Sequence, residues 1–160
     1  MIIKQLLKED NINYKKQSLF IGFPTCTWKC EREANCRGMC QNMLLAKAPD
    51  IIVTYQEIIN IFEESPLNEA IVCGGLEPFD SWDDLLNFIQ EFRKFSQDDI
   101  VIYTGYTEEE LNDKIEIILS QNIKNIIIKF GRYKPNQEKH YDEILGVMLA
   151  SDNQYAKRIC

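Results

Sequence analysis

The chain alternates short apolar runs with amphipathic segments, and this alternation predicts a domain built from strands and helices. Five runs combine a length and an apolar character typical of buried strands. These predicted strands are residues 18–23, 69–73, 100–103, 123–129 and 144–149.

Three segments between these strands have apolar residues at helical spacing. Thr54 and Glu57 have the spacing of a capping box at the start of the first helix, and Thr107 and Glu110 have it at the start of the third. Asp80 or Ser81 is expected to cap the second helix. The apolar faces are Tyr55, Ile58, Ile59 and Phe62, then Trp82, Leu85, Leu86, Ile89 and Phe92, then Leu111, Ile115 and Ile118.

Strands and helices that alternate at this spacing are typical of a parallel sheet with right-handed crossovers. About five strands fit in 160 residues, which is too few for a closed eight-stranded barrel. We therefore predict an α/β fold, a mostly parallel sheet shaped as a partial, open β/α barrel. No linker or repeat divides the chain, so residues 1–160 are expected to form a single domain.

Ligands of such sheets bind at the carboxyl ends of the strands, where loops converge and helix amino termini offer free N–H groups. Every unusual glycine-rich or polar stretch of this chain follows a predicted strand. We therefore expect one ligand site formed by residues 26–42, 74–78, 104–106, 131–133 and 150–154.

Four of the six cysteines, Cys26, Cys30, Cys36 and Cys40, lie in the first of these stretches. The amino terminus lacks the apolar core and cleavage site of a secretory signal, so we expect a cytoplasmic protein with reduced thiols. Grouped thiols of this kind hold zinc or an iron–sulfur cluster. The spacing leaves both open, although the five residues between the two Cys-x3-Cys pairs are few for a zinc ribbon.

Charge and hydropathy exclude two classes of partner. The net charge of −7 is the opposite of the basic footprint of a nucleic-acid-binding protein. No apolar run approaches the ~20 residues that span a bilayer. His140, the single histidine, stands in a polar stretch and is expected at the surface.

Taken in order, these segments resemble the radical S-adenosylmethionine (radical SAM) enzymes, and among them the activating proteins of anaerobic ribonucleotide reductase. The family's Cys-x3-Cys-x2-Cys-x-Asn loop is similar to Cys26-Thr-Trp-Lys-Cys30 with Cys40-Gln41-Asn42, and its Gly-Gly-Glu-Pro motif to Gly74-Gly-Leu-Glu-Pro78. The resemblance runs from residue 18 to residue 154. Segments typical of the reductase activators resemble Thr104-Gly-Tyr-Thr107, Phe130-Gly-Arg-Tyr133 and Ala150-Ser-Asp-Asn-Gln154.

Three departures from the family pattern stand out. Nine residues, among them Cys36, separate Cys30 from Cys40 where the family has two. Leu76 is inserted into the glycine motif, and Lys129-Phe130 stands where the family has an acid before Gly-Arg. These changes bear on the partner more than on the cofactor.

The resemblance implies a shortened radical SAM core with two cofactors, a 4Fe-4S cluster and S-adenosylmethionine. It implies that Cys26, Cys30 and Cys40 bind the cluster, and it assigns no catalytic side chain. Gly74, Gly75 and Glu77 would bind the methionine amine, and Thr104, Asn153 and Gln154 would contact the adenosine or ribose.

The implied activity is reductive cleavage of S-adenosylmethionine, which generates a glycyl radical on a partner like the anaerobic ribonucleotide reductase large subunit. Flavodoxin or ferredoxin would be the low-potential electron donor. Two alternatives remain open. One is a radical SAM enzyme that acts on a small molecule, as 7-carboxy-7-deazaguanine synthase does, and the other is a non-catalytic metal or iron–sulfur module.

Overall fold

The computed structural model describes residues 1–160, which form ten strands and five α-helices. The strands are β1 (Ile2–Ile3), β2 (Gln5–Asp10), β3 (Ser18–Phe23), β4 (Ile51–Ile52), β5 (Ala70–Gly75), β6 (Asp99–Tyr103), β7 (Ile126–Phe130), β8 (His140–Asp142), β9 (Val147–Leu149) and β10 (Tyr155–Arg158). The helices are α1 (Lys29–Glu33), α2 (Met43–Ala46), α3 (Tyr55–Glu64), α4 (Trp82–Phe95) and α5 (Asn112–Ser120).

Six strands form the central sheet in the order β10-β7-β6-β5-β3-β2. The four inner strands run parallel, and the outer strands β2 and β10 pair antiparallel with their neighbours. The predicted α/β fold with a mostly parallel sheet is confirmed. The sheet keeps two free edges, and its closure into a barrel is not confirmed.

Side chains alternate between the two faces of the sheet and build two apolar layers. On one face the strands pack against the long helices, where Phe62, Phe88 and Phe92 are buried. On the other face, Tyr14 and the hairpin residues Leu145 and Leu149 cover the strands. The loops that follow the parallel strands cover the carboxyl-terminal edge of the sheet. None of the helices combines the length and apolar character needed to cross a bilayer.

The predicted strand over residues 144–149 is wrong, because half of this run forms a turn. Strands β8 and β9 pair as a hairpin around it. The Asp142 carboxylate accepts a hydrogen bond from Leu145 N at 2.9 Å, and Gly146 has a φ of 75°. Aspartate and glycine at these positions favour a turn, and Leu145 packs into the core from within it.

Two edge strands, β2 and β10, were not predicted. Both carry charged side chains within the strand, which is common at a sheet edge and obscures the apolar alternation. Strand β7 also begins three residues later than predicted. Asn122 and Asn125 adopt positive φ values there and extend the preceding turn.

The start of α3 agrees with the sequence, whereas α4 lacks the predicted capping bond and α5 begins at Asn112, five residues after the predicted cap Thr107. The reciprocal bonds between Thr54 and Glu57 are present at α3, and Glu110 N donates to Thr107 Oγ1 ahead of a short 3₁₀ turn before α5. Ser81 occupies the cap position of α4 but makes no capping bond. Asp80 lies in the 3₁₀ turn before α4, and its carboxylate accepts hydrogen bonds from Thr27 N and the Tyr106 hydroxyl.

Candidate active site

A cavity lies at the carboxyl-terminal edge of the sheet, where the sequence predicted a ligand site. Its volume is about 450 Å³, and residues from all five of the predicted loop stretches line it. A volume of this size is within the range of small-molecule sites. One wall is polar, and the other is formed by apolar residues that include Phe20, Tyr103, Met148 and Leu149.

Three of the four clustered cysteines face this cavity. Cys26, Cys30 and Cys40 line it, whereas Cys36 is exposed and lies outside it. Cys26 and Cys30 are close enough to influence each other electrostatically, as are Cys30 and Cys40. Cys73 is also outside, because its side chain is buried in the apolar layer under the helices.

The long spacer between Cys30 and Cys40 folds back on Glu31. The Glu31 carboxylate accepts hydrogen bonds from Gly38 N at 3.0 Å and from Cys40 N at 3.2 Å. Its backbone carbonyl accepts a third from Cys36 N at 3.1 Å. These bonds return the chain to the cavity and leave Cys36 on the outside of the loop.

The backbone supplies hydrogen-bond donors to two of the cavity thiols. Trp28 N lies 3.2 Å from Cys26 Sγ, and Asn42 N lies 3.4 Å from Cys40 Sγ. Burial raises the pKa of Cys26 to about 12, and burial also raises the pKa of Cys30. Neutral thiols are therefore favoured in the metal-free protein, and a bound cation would shift them to thiolates.

The glycine turn after β5 brings its backbone close to the cysteine loop. Gly75 has a φ of 83°, and a Cβ atom there would lie 2.7 Å from Gly22 Cα. Any side chain at Gly75 is therefore excluded by both conformation and space. The Gly75 carbonyl accepts a hydrogen bond from the side chain of Asn42, which fastens the loop just after Cys40.

Glu77 is buried at the centre of the polar wall, with 6% of its surface exposed. Its carboxylate accepts hydrogen bonds from Thr104 Oγ1 at 2.8 Å, Gly105 N at 2.9 Å and Phe79 N at 3.2 Å. Glu77 thus joins the loops that follow β5 and β6. Two carboxylate oxygens have about four acceptor sites, so capacity remains for an amine.

The other predicted contact residues differ in where they lie. Thr104 lines the cavity, but its hydroxyl is used by Glu77 and Tyr106 N. Gln154 lines it too, with its amide bonded to the backbone of Gly131, Ala150 and Ser151. Asn153 lies outside the cavity and donates to the Arg132 carbonyl.

Lys129 is a cavity residue that was not predicted as part of the site. It is 6% exposed, its ammonium donates to the Gly131 carbonyl at 2.9 Å, and it lies 6.0 Å from the centre of the Tyr103 ring. Burial lowers its pKa to about 8, and the negative charge of Glu77 opposes that shift. The sequence contained a signal for this role, because a lysine within an apolar strand is expected to be buried and a buried ammonium needs a polar or anionic partner.

The donor set fits an iron–sulfur cluster. In the present arrangement, no group of three or more His, Cys, Asp or Glu side chains is close enough to hold a single metal ion. The thiolates of a cluster each bind a different iron and stand farther apart than ligands that share one ion. Three thiols around one cavity, two of them with N–H donors, are suited to that wider geometry.

Comparison with known proteins agrees with this donor set. The model of a family described as a 4Fe-4S single cluster domain, a radical-SAM-associated iron–sulfur family, matches residues 17–154. No curated protein and no solved structure has significant similarity to the chain.

We predict that Glu77 titrates near neutral pH in the metal-free protein. Burial raises its pKa from 4.5 to about 7, more than its hydrogen bonds lower it. A raised carboxyl pKa contributes stability that is complete below pH 4.5 and is lost as the pH rises through 7. Carbon-13 NMR of the side-chain carboxyl should give a midpoint near 7, whereas Glu110, whose pKa Arg132 lowers to about 2, serves as the internal contrast. A Glu77 midpoint at 4.5 would show that the three donors outweigh burial.

Proposed function

The chain belongs to the family of 4Fe-4S single cluster domains, and from this premise we propose that it is a radical SAM activase. In this proposal it cleaves S-adenosylmethionine reductively and generates a glycyl radical on a partner like the anaerobic ribonucleotide reductase large subunit. Cys26, Cys30 and Cys40 hold the cluster. When bound, a cluster with three protein ligands supplies an open iron and the electron for cleavage.

The observation that carries the proposal is that one cavity receives three cysteines and a set of groups suited to an amino acid. Thiols alone would suit a cluster without any reaction. Here the same cavity also contains the glycine turn, the Glu77 carboxylate and the Lys129 ammonium. These groups match the charged ends of the methionine part of S-adenosylmethionine.

The two charged residues divide the work of binding those ends. The Glu77 carboxylate accepts from the ligand's ammonium group, at an acceptor site that its three protein donors leave free. The Lys129 ammonium has three donors, of which the Gly131 carbonyl uses one, so it can bind the carboxylate. The apolar wall around Phe20 and Leu149 receives the adenine and keeps water away.

The choice of a protein partner rests on the three segments that resemble reductase activators. Thr104–Tyr106, Gly131–Tyr133 and the Ala150–Gln154 stretch all border the same cavity, where a radical would be formed and used. A low-potential donor such as flavodoxin or ferredoxin completes the reaction. No other group on this edge suggests a dedicated small-molecule substrate.

A non-catalytic iron–sulfur module is the second candidate, because the family description requires only the cluster. That description specifies a single 4Fe-4S cluster and no reaction. In that case a fourth ligand would close the cluster, and Cys36 is the nearest thiol in sequence. The number of cysteines needed by the cluster therefore separates the two functions.

We predict that three cysteines, and not four, are required. Cys26→Ala, Cys30→Ala and Cys40→Ala should each abolish the visible absorption of the reconstituted cluster and the formation of 5′-deoxyadenosine, because two thiolates retain a cluster poorly. Cys36→Ala is the matched control from the same loop and should retain most of both. The iron content, the visible absorption of the cluster and the nucleoside products, separated by chromatography, are measured on anaerobic protein.

The opposite pattern, an inactive Cys36→Ala with an active Cys40→Ala, would show that the spacer supplies the third ligand. Loss of the cluster in all four single variants, with no cleavage of S-adenosylmethionine by the wild type, would show a cluster closed by four cysteines and would support the non-catalytic module.

We also predict a radical on the partner. The reduced protein, mixed with S-adenosylmethionine and a candidate large subunit, should give the doublet of a glycyl radical in electron paramagnetic resonance. A large subunit whose radical-site glycine is replaced by alanine is the control and should give none. Cleavage of S-adenosylmethionine without a doublet would favour a small-molecule substrate.

A further inference from the structure

Four charged side chains join the cysteine loop to the neighbouring loops of the sheet. Arg132 Nη2 lies 2.6 Å and 2.8 Å from the two carboxylate oxygens of Glu110, and Arg132 Nε lies 3.1 Å from Glu33 Oε2. Lys29 also pairs with Glu110, and its ammonium lies 4.0 Å from Glu33. We call these four residues, Lys29, Glu33, Glu110 and Arg132, the ionic latch.

The aromatic ring of Tyr106 contacts both cations of the latch. The Tyr106 ring centre lies 5.7 Å from Lys29 Nζ and 5.8 Å from Arg132 Cζ, so it faces both cations. The Tyr106 hydroxyl donates to Asp80 at 2.6 Å, and the other oxygen of Asp80 accepts from Thr27 N at 2.7 Å. The cysteine loop is thus fastened at Thr27 and Lys29, between Cys26 and Cys30, and at Glu33, after Cys30.

Helix α1 depends on these contacts because it has little stability of its own. It has five residues, none of them buried, and no side-chain cap. A helix of this length is not stable in isolation. Its contacts with the sheet therefore fix where Cys30 points, and Lys29 and Glu33 are its charged anchors.

The latch differs from ordinary surface ion pairs in geometry and burial. Exposed pairs contribute little, but networks built on a two-pronged arginine contact are stronger. The Arg132 side chain is only 11% exposed, and both nitrogens that make the contact reach a carboxylate. The Glu110 pKa is lowered first by its hydrogen bond with Arg132, which agrees with a persistent pair.

One other segment, the Asn153-Gln154 pair, positions Arg132 itself. The side chain of Asn153 donates to the Arg132 carbonyl at 2.9 Å, and that of Gln154 donates to the Gly131 carbonyl at 3.2 Å. Gly131 has a φ of 96°, and a Cβ atom there would lie 2.7 Å from the Asn153 carbonyl oxygen. The Asn-Gln pair thus holds the backbone from which the arginine extends.

We propose that the ionic latch holds α1 against the sheet so that Cys30 faces the cavity, with Arg132 and Glu110 as positioning residues. The proposal gives a structural role to Tyr106, Arg132 and the Asn153-Gln154 pair, which belong to the Thr-Gly-Tyr-Thr, Gly-Arg and Asn-Gln segments. It rests on the proposed function only in taking Cys30 as a cluster ligand. Its test therefore begins with protein that contains no cluster.

The test is hydrogen exchange, followed by mass spectrometry, on metal-free protein. Arg132→Gln should speed exchange of the amides in residues 26–34 at least about fivefold, because a charge-assisted contact is lost and local opening becomes easier. Strands β5 and β6 should keep their protection. Glu33→Gln, which changes a half-exposed side chain and does not endanger folding, should give a smaller increase in the same segment.

Arg158→Gln is the matched control. Arg158 pairs with Asp99 at 2.9 Å, at the opposite end of the sheet, so its loss should leave residues 26–34 unchanged. The double variant Glu110→Arg with Arg132→Glu reverses the central pair and should restore at least half of the lost protection. Unchanged exchange in both Arg132→Gln and Glu33→Gln would overturn the proposal, as would faster exchange spread over the whole chain with no restoration.

A second readout uses the reconstituted protein and does not depend on activity. If the latch positions Cys30, Arg132→Gln should lose iron to a chelator several times faster than wild type, and the reversed pair should slow that loss again. A protein that shows the exchange effect but never cleaves S-adenosylmethionine would retain the latch and refute the proposed activase. Cleavage of S-adenosylmethionine with no exchange effect would retain the proposed activase and refute the latch.

Discussion

The buried carboxylate of Glu77 is the interaction on which the rest of the site depends. It collects donors from Phe79, Thr104 and Gly105, and so fixes the loops after two adjacent parallel strands in one arrangement. Removing a carboxylate from water is costly, and the three hydrogen bonds offset only part of that cost, so burial still raises the pKa of Glu77. The same residue begins the 3₁₀ turn that carries Asp80 toward the cysteine loop. Glu77 therefore stabilises three features together: the polar side of the cavity, the start of α4 and the turn whose Asp80 binds the cysteine loop.

Besides Glu77, other charged residues shape the cavity from its wall and from the loops that surround it. Glu77 and Lys129 lie at its wall, Glu31 returns Cys40 to it, and Arg132 holds α1 beside it. The unusual nine-residue spacer is accommodated because Glu31 closes it as a compact loop. An enlarged loop therefore keeps three cavity cysteines and leaves the fourth on the outside.

The sequence predicted the features that depend on local patterns. The inner strands, the capping box at Thr54 and the meeting of all glycine-rich loops at one edge follow from apolar periodicity and from the geometry of parallel sheets. The turn at residues 143–146 was missed, because its buried apolar residue, Leu145, packs into the core from a turn and not from a strand. The edge strands were missed because their charged residues hide the alternation. The latch could not be predicted, since it consists of contacts between loops that are distant in sequence. Lys129 did leave a signal, a lysine within an apolar strand, but the spacing of the motifs gave no reason to include it in the site.

The central claim is that the cluster has an open iron at which S-adenosylmethionine binds, and electron–nuclear double resonance tests it most directly. The reduced, reconstituted protein is measured with S-adenosylmethionine that carries nitrogen-15 in its amino group. The account predicts a nitrogen-15 coupling to the cluster, together with a change in its paramagnetic signal when the ligand is added. A signal that S-adenosylmethionine leaves unchanged, without any nitrogen coupling, would contradict the account and identify a closed cluster.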